Sequence, residues 1–489
     1  MAVLMIVGLI TSRLTLQQLG ITDFGIYNVI GGLISIFSFI SGSMTQASQR
    51  FITYELGRGN EGSLRNVFST CVFLHVILAL IIVVLGETVG LWYVRNVAVI
   101  PPERFTAALW IYQCSIVVAC ADIITVPYNG LIVAHERMSA FAYLTIIEGV
   151  LKLVIVLLLI FAPFDKLTIY GIMMATLAVF MRIIYGMYAK RHFPESRLLW
   201  RVDRECVRSM GGYAGWSMIG SMAAAGYTQG LNMLLNAFFN PVVNAARGVA
   251  VTVQSVIRTF STNFQMAVNP QITKSYAAGE SDYMHDIVIS MSKYTFFLYF
   301  LFAMPVFLEI DELLDIWLVE VPDYSASFIR ILLIISVFEV MASPLNTSIQ
   351  ATGRVRIFEL TTGIIMLLTV PVAWIGLKIW HNPNIAFYAF LSQTVIAFGV
   401  RLWLAYRMTG LSALRYLRYV TGKVLCIAAA ASVVPVFLHL GMSQGLLRLF
   451  VVGGSAMITT PAVMYAVGLS HSERATVNGK ISHLLHRKG

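Results

Sequence analysis

Charge is scarce in this sequence. Only 12% of its 489 residues are Asp, Glu, Lys or Arg, against about 25% in an ordinary soluble protein. A chain of this length would otherwise form about three soluble domains, and half the usual charge cannot cover three soluble surfaces. Cysteine is equally sparse. Cys71, Cys114, Cys120, Cys206 and Cys426 are odd in number, scattered and without a C-x-x-C pair, which excludes a disulfide framework or thiolate metal site. Nine histidines show no metal-ligand spacing, and neither Gly-x4-Gly-Lys-Ser/Thr nor Gly-x-Ser-x-Gly occurs. Cytosolic enzymes, DNA-binding modules and secreted scaffolds are excluded on these grounds. The expectation is a non-enzymatic protein with no catalytic residues, no metal and no cofactor.

What is abundant is apolar surface: 58% of residues are hydrophobic and the mean hydropathy is +0.78. A spanning helix needs about 20 mostly apolar residues, and long runs without two-residue alternation select helices over a barrel. Fourteen such runs are read, near 2–17, 24–42, 68–86, 107–126, 141–162, 168–188, 210–235, 244–268, 291–308, 326–343, 358–377, 385–404, 420–440 and 446–468. The eighth is unusually polar, with Arg247, Gln254 and Arg258. The opening run from Met1 to Ile10 has no basic lead or cleavage motif and reads as part of a span rather than a signal peptide.

The net charge of +10 invites a nucleic-acid partner, but its distribution gives another reason for it. Of 34 Lys and Arg, 22 fall in loops on the side of both termini, five in the opposite loops and seven within spans. That bias predicts cytoplasmic termini in a multi-pass membrane protein. It also fits attraction to anionic membrane lipids and leaves no call for nucleic acid. Within spans, seven bases face three acids, a surplus of +4.

The chain repeats itself. Pro127, Asn129, Ile132, Ala134, Arg137 and Phe141 recur at an offset of 217 as Pro344, Asn346, Ile349, Ala351, Arg354 and Phe358. A weaker match at offset 220 relates Ala47, Ile52, Thr53 and Gly59 to Ala267, Ile272, Thr273 and Gly279. The repeat therefore covers six spans, an even number, so both halves share one orientation. The predicted fold is an all-α polytopic membrane protein of about 14 transmembrane helices. Two parallel six-helix lobes, 1–208 and 209–415, surround a central cavity, and 416–489 adds two helices and a basic tail. The repeated segments read as loops in which proline ends a helix, Asn caps exposed backbone and Arg lies near headgroups. Gly211-x-x-x-Gly215 and Gly226-x-x-x-Gly230 are candidates for close helix packing.

Particular residues carry a resemblance. Thr11-Ser12-Arg13, Leu19-Gly20-Ile21-Thr22-Asp23-Phe24-Gly25-Ile26-Tyr27-Asn28 and Gln49-Arg50-Phe51 with Glu55-Leu56-Gly57-Arg58-Gly59 are one set. Asn129 to Met138, and Asn244 to Gly248 through Asn269 to Tyr276, extend it into both halves. Together they resemble the multidrug/oligosaccharidyl-lipid/polysaccharide exporter superfamily, and within it the Wzx-type O-antigen and capsule flippases. The likeness covers most of residues 1–410; the last two spans match by hydropathy alone, and the longer lead usual before the first helix is absent. It implies a flippase of the bacterial inner membrane, with a cavity opening alternately to either face. The implied passenger is an undecaprenyl-diphosphate-linked oligosaccharide for surface polysaccharide, with a polysaccharide polymerase and other assembly proteins as partners.

Charged groups inside spans cost about 2.5–3.5 kcal/mol each, so each is a candidate site. For the implied diphosphate the candidates are Arg13, Arg258 and, in support, Lys152, guanidinium forks suiting phosphate oxygens. Asp122, Glu148 and Glu339 are the candidates for a coupling ion, although Glu148 and Lys152, four apart on a helix, also suit a local ion pair. Arg182, Arg330, Arg401 and Arg448 lie near span ends, where snorkelling accounts for them. The outer acidic run Glu309, Asp311, Glu312 and Asp315 reads as a solvated face. Two alternatives stand beside the flippase: a cation-coupled multidrug antiporter of the same fold, which favours cavity carboxylates, and a membrane-embedded polymerase or glycosyltransferase.

Overall fold

The structure is a computed structural model that describes residues 38–469 apart from 60, 97–99, 164, 200–202, 240 and 319–320. Scattered positions between 7 and 30, and Glu473 and Arg474, are described as well. The first two predicted spans fall largely outside this set, and so does Arg13. Among the described residues every regular element is a helix. The first is α1, Ser38–Arg58, at the end of the second predicted span. The other twelve predicted spans each fall on one helix. These are α2 Glu61–Leu85, α3 Phe105–Ala134, α4 Met138–Leu158, α5 Lys166–His192, α6 Arg204–Phe238 and α7 Pro241–Ala277. They continue with α8 Ser281–Trp317, α9 Ser325–Ala351, α10 Val355–Trp380, α11 Asn384–Thr409, α12 Lys423–Gly441 and α13 Leu446–Val463. Nine of the described helices, α2–α5 and α9–α13, are long and apolar enough to cross a membrane. Leu80, Phe161, Phe437 and Phe450 are all more than half exposed, a surface suited to lipid rather than water.

The chain divides into two compact units, Met1–Met218 and Ile219–Gly489, with the boundary inside α6. In the first, α3 is central, flanked by α1, α2 and α5. Gly171 lets α5 approach α3 closely, since a Cβ there would stand 2.7 Å from Ile111 Cδ1. In the second unit α9 is central, against α7, α8 and α11, while α10 packs on α11. Gly226 and Gly230 face Leu367 and Val370 of α10, where a side chain would collide, so this glycine pair is a packing face. Gly211 and Gly215 have open space instead.

The repeat has a geometric cause. Helix α3 ends at Ala134 and α4 starts at Met138; α9 ends at Ala351 and α10 starts at Val355, each 217 residues on. The connecting turns place Glu136 at φ 59° and its repeat mate Gly353 at φ 75°. Gly59 after α1 and Gly279 after α7 are left-handed too, at φ 69° and 80°. Arg137 N–H closes the first of these turns on Ile132 C=O at 3.1 Å, and Glu280 N–H closes the turn after α7 on Ser275 C=O at 2.9 Å. The offsets thus preserve helix stops. Arg137 and Arg354 occupy the exposed positions just before α4 and α10.

Proline does not act as the sequence pattern suggested. Pro127 and Asn129 lie inside α3, and Pro344 and Asn346 inside α9, so these four are helical residues and not loop residues. Proline removes one donor from the helix ladder and frees the carbonyl four residues earlier. For Pro344 that carbonyl belongs to Val340, and Gln265 Nε2 donates to it at 3.1 Å from α7. Gln265→Leu should therefore lower stability by about 1–3 kcal/mol, the cost of an unmet buried acceptor. Thermal unfolding in detergent measures this, and an unchanged midpoint would refute the role assigned to Gln265.

The last two helices dock on α8, which bends near its C-terminal end: Pro305 interrupts its ladder and Glu309 has non-helical angles, φ −103° and ψ 21°. Glu309 is fully buried, which corrects its reading as part of a solvated face, while Asp311 and Asp315 of the same run are exposed. His439 Nδ1 of α12 donates to its Oε1 at 2.7 Å, and Arg448 Nε of α13 to its Oε2 at 3.0 Å. Arg448 is therefore an inward ion-pair partner rather than a snorkelling residue. Asp311 pairs with Arg330 at 2.6 Å in a more exposed bridge.

Candidate functional site

Each unit carries charged side chains on its inner helices. In the first, Glu148 and Lys152 lie one turn apart on α4, and Lys152 Nζ donates to Glu148 Oε1 at 2.6 Å. Asp122 of α3, an exposed residue, lies within electrostatic reach of both. The three residues proposed from sequence for different tasks are thus one cluster. Arg182 does not snorkel; its guanidinium lies 3.9 Å over the ring of Tyr128, beside Pro127. In the same unit Arg104 bridges Asp23 and Asp165, the latter at 2.8 Å. Asp23, one of the residues that carry the resemblance, is thereby tied to the N-terminus of α5. Asp165 caps that helix by accepting from Thr168 N–H at 3.0 Å. Burial acts to raise the Asp165 pKa, but the Thr168 hydrogen bonds and Arg104 prevail and hold it below its ordinary value.

In the second unit Arg258 Nη1 of α7 donates to Glu339 Oε2 of α9 at 2.6 Å. Arg258 is 34% exposed and Glu339 17%, so the pair is partly open. One turn from Arg258, Gln254 donates to Ser336 Oγ at 2.7 Å, holding α7 and α9 in register. Arg401 of α11 lies within electrostatic reach of Glu339, Glu359 and Arg258, and its Nε is buried without a hydrogen bond. Arg247, one of the polar residues of the eighth predicted span, is a buried residue of α7 that donates to Asn232 Oδ1 and to Thr228 C=O. Glu359 is buried on α10, with its carboxylate against Gly220 of α6, where a side chain would displace it. Three guanidinium groups, from Arg247, Arg258 and Arg401, therefore share this interior with two carboxylates.

Asp122 and Glu339 are repeat mates, 217 residues apart, each five residues before the helix-internal proline. Both stand beside a base in their own unit, Lys152 in one and Arg258 in the other. A base beside a carboxylate favours its charged form, and a metal cation can take the place of that base. Of the three diphosphate candidates, Arg258 and Lys152 are thus already engaged with carboxylates, and Arg13 lies outside the described residues. Sequence reasoning missed Arg401 because the hydropathy span ended at 404, whereas α11 runs to Thr409 and puts it two turns inside. Arg247 and Glu359 lie near the first residues of predicted spans, where charge alone does not show that they turn inward.

No protein-family model matches the chain, and no curated protein matches it by sequence. Solved structures do. An outward-facing multidrug resistance MATE family transporter of the MOP superfamily aligns with a TM-score of 0.72 at 13% identity, over 84% of this chain and 94% of that one. MATE in its straight conformation aligns with a TM-score of 0.72 at 14% identity, over 84% and 93%. The MATE transporter ClbM, solved in complex with Rb+, aligns with a TM-score of 0.69 at 14% identity, over 86% and 94%. The chain has the two-lobed, all-helical fold of the MATE transporters.

Proposed function

We propose that this protein is a secondary transporter of the multidrug/oligosaccharidyl-lipid/polysaccharide exporter type, in which a cation exchanges against an organic passenger by alternating access. The observation that carries the reading is the placement of Asp122 and Glu339 at one repeat position, each beside a base that a cation can replace. The likeness to a multidrug resistance MATE transporter, and to a MATE transporter solved with Rb+, supports cation-coupled export of drug-like compounds as the first reading of the passenger. The carboxylates in both units suit it: a cationic passenger and a coupling cation compete for the same acids.

A second reading, flipping of a diphosphate-linked oligosaccharide, is favoured by one observation. Around Arg258, among the described residues, the guanidinium groups of Arg247, Arg258 and Arg401 outnumber the carboxylates of Glu339 and Glu359. A guanidinium released from its carboxylate is a fork for phosphate oxygens. Reconstitution separates the two. In proteoliposomes with an imposed proton or sodium gradient, an antiporter accumulates a cationic dye such as ethidium, and the gradient's collapse stops it. A flippase leaves the dye untouched and exposes a lipid-linked oligosaccharide to the opposite face. Dye movement indifferent to every gradient would overturn the first reading. Normal surface polysaccharide after deletion, in a strain with no second flippase, would overturn the other.

A further inference from the structure

Between α11 and α12 the chain carries a basic segment with no acidic side chain. Residues 405–423 include Arg407, Arg415, Arg418 and Lys423 and no Asp or Glu. Ser412 caps a short turn, Ala413–Tyr416, which widens into a π-helical turn, Leu417–Gly422, and then becomes α12. The segment is held firmly. Leu411, Tyr416 and Val420 are buried in the core of the second unit, and the Tyr416 hydroxyl donates to Met341 C=O at 2.9 Å. The wide turn, a feature common at functional sites, leaves three consecutive side chains exposed: Leu417, Arg418 and Tyr419.

The exposed face is mixed in a particular way. Leu414 is 78% exposed, with Leu417 and Tyr419 beside it in sequence, and Trp403 and Tyr406 are exposed at the end of α11. Arg407 lies 5.4 Å from the Trp403 ring and Arg418 5.9 Å from that of Tyr419. Arg415 has a counter-ion, Asp286, at 2.8 Å. Among the described residues no carboxylate pairs with Arg407, Arg418 or Lys423. Exposed leucines, ring-stacked arginines and unmatched positive charge are poorly served by water alone. They are matched at the boundary of a bilayer, where leucine meets acyl chains, aromatic rings sit at headgroup depth and bases find phosphate.

We propose that this segment binds anionic phospholipid headgroups of the leaflet on the side that the charge distribution assigns to the cytoplasm. Arg407, Arg418 and Lys423 contact the phosphates, while Leu414, Leu417 and Tyr419 enter the acyl layer. The contact pins the joint between the repeated lobe and the C-terminal helix pair to that leaflet. It is independent of what the transporter carries.

Trp403 supplies a reporter. The full-length protein is placed in phosphatidylcholine nanodiscs, and quenching by brominated phosphatidylglycerol is compared with quenching by brominated phosphatidylcholine. The Trp403→Phe variant identifies the Trp403 part of the signal. The expected result is a preference for phosphatidylglycerol of about tenfold, falling severalfold at 0.5 M salt and to about one in Arg407→Gln/Arg418→Gln/Lys423→Gln. Thermal unfolding of that triple variant should match the parent. Equal quenching by the two lipids in the unmodified protein, or a preference indifferent to both salt and the triple substitution, would overturn the proposal. The salt comparison needs no variant, so it stands even if the triple substitution fails to fold.

Discussion

Glu309→Ala is expected to loosen the C-terminal helix pair and to give the largest loss of stability of any single carboxylate replacement in the second unit. Glu309 is fully buried and accepts from His439 of α12 and Arg448 of α13. Removing one partner from a buried ion pair costs about 3–5 kcal/mol, because the charge left behind is neither solvated nor matched. At about 2–4 °C per kcal/mol for a unit of this size, the midpoint should fall by about 6–20 °C. Asp311→Ala breaks the more exposed bridge to Arg330, and such bridges contribute about 0–1 kcal/mol, so its midpoint should move by no more than about 4 °C. The double replacement Glu309→Met/Arg448→Met removes both charges and should recover much of the loss. Similar small shifts for Glu309→Ala and Asp311→Ala would show that the buried carboxylate does not hold the last two helices.

Much of the fold can be read in the chain, and the parts that cannot have a common cause. Apolar runs of about twenty residues located twelve helices, because lipid leaves a spanning segment no other way to satisfy its backbone. The offset of 217 marked the stops after α3 and α9, where Glu136 and Gly353 must take the same left-handed turn. Glu309 escaped because it belongs to an acidic run whose other members are partly or wholly exposed, while its partners lie 130 and 139 residues away. Arg258 and Glu339, 81 residues apart, were each singled out by charge, yet were given opposite tasks because no local pattern shows that they meet. Arg401 was taken for a surface residue because hydropathy finds where a run becomes polar, not where a helix ends. Pro127 and Pro344 misled for a related reason. Proline frees a carbonyl, but a side chain from another helix can accept the duty, as Gln265 does for Val340.

Neutralising Arg258 is expected to abolish transport, and the pattern of rescue distinguishes a site from a strut. The pair with Glu339 is partly open, at 34% and 17% exposure, so both side chains are within reach of a solute as well as of each other. Arg258→Ala leaves Glu339 without its base and should lower stability as well as activity, which makes the single substitution ambiguous. The exchange Arg258→Glu/Glu339→Arg restores a pair of opposite charges across α7 and α9. A strut tolerates that reversal: unfolding midpoint and transport return together. A site does not, because the carboxylate that takes the cation has moved to another helix, so the midpoint should recover while transport stays below about one hundredth of the parent, the effect of removing an interaction of about 3 kcal/mol or more. Asp122→Asn completes the comparison in the other unit. Asp122 is exposed and holds the same repeat position, so its neutralisation should leave the midpoint within about 0.5 kcal/mol of the parent and alter the number of cations exchanged per passenger. Full transport by the exchanged Arg258–Glu339 protein, together with unaltered stoichiometry in Asp122→Asn, would reduce both carboxylates to structural partners and leave the coupling site to be sought elsewhere in the chain.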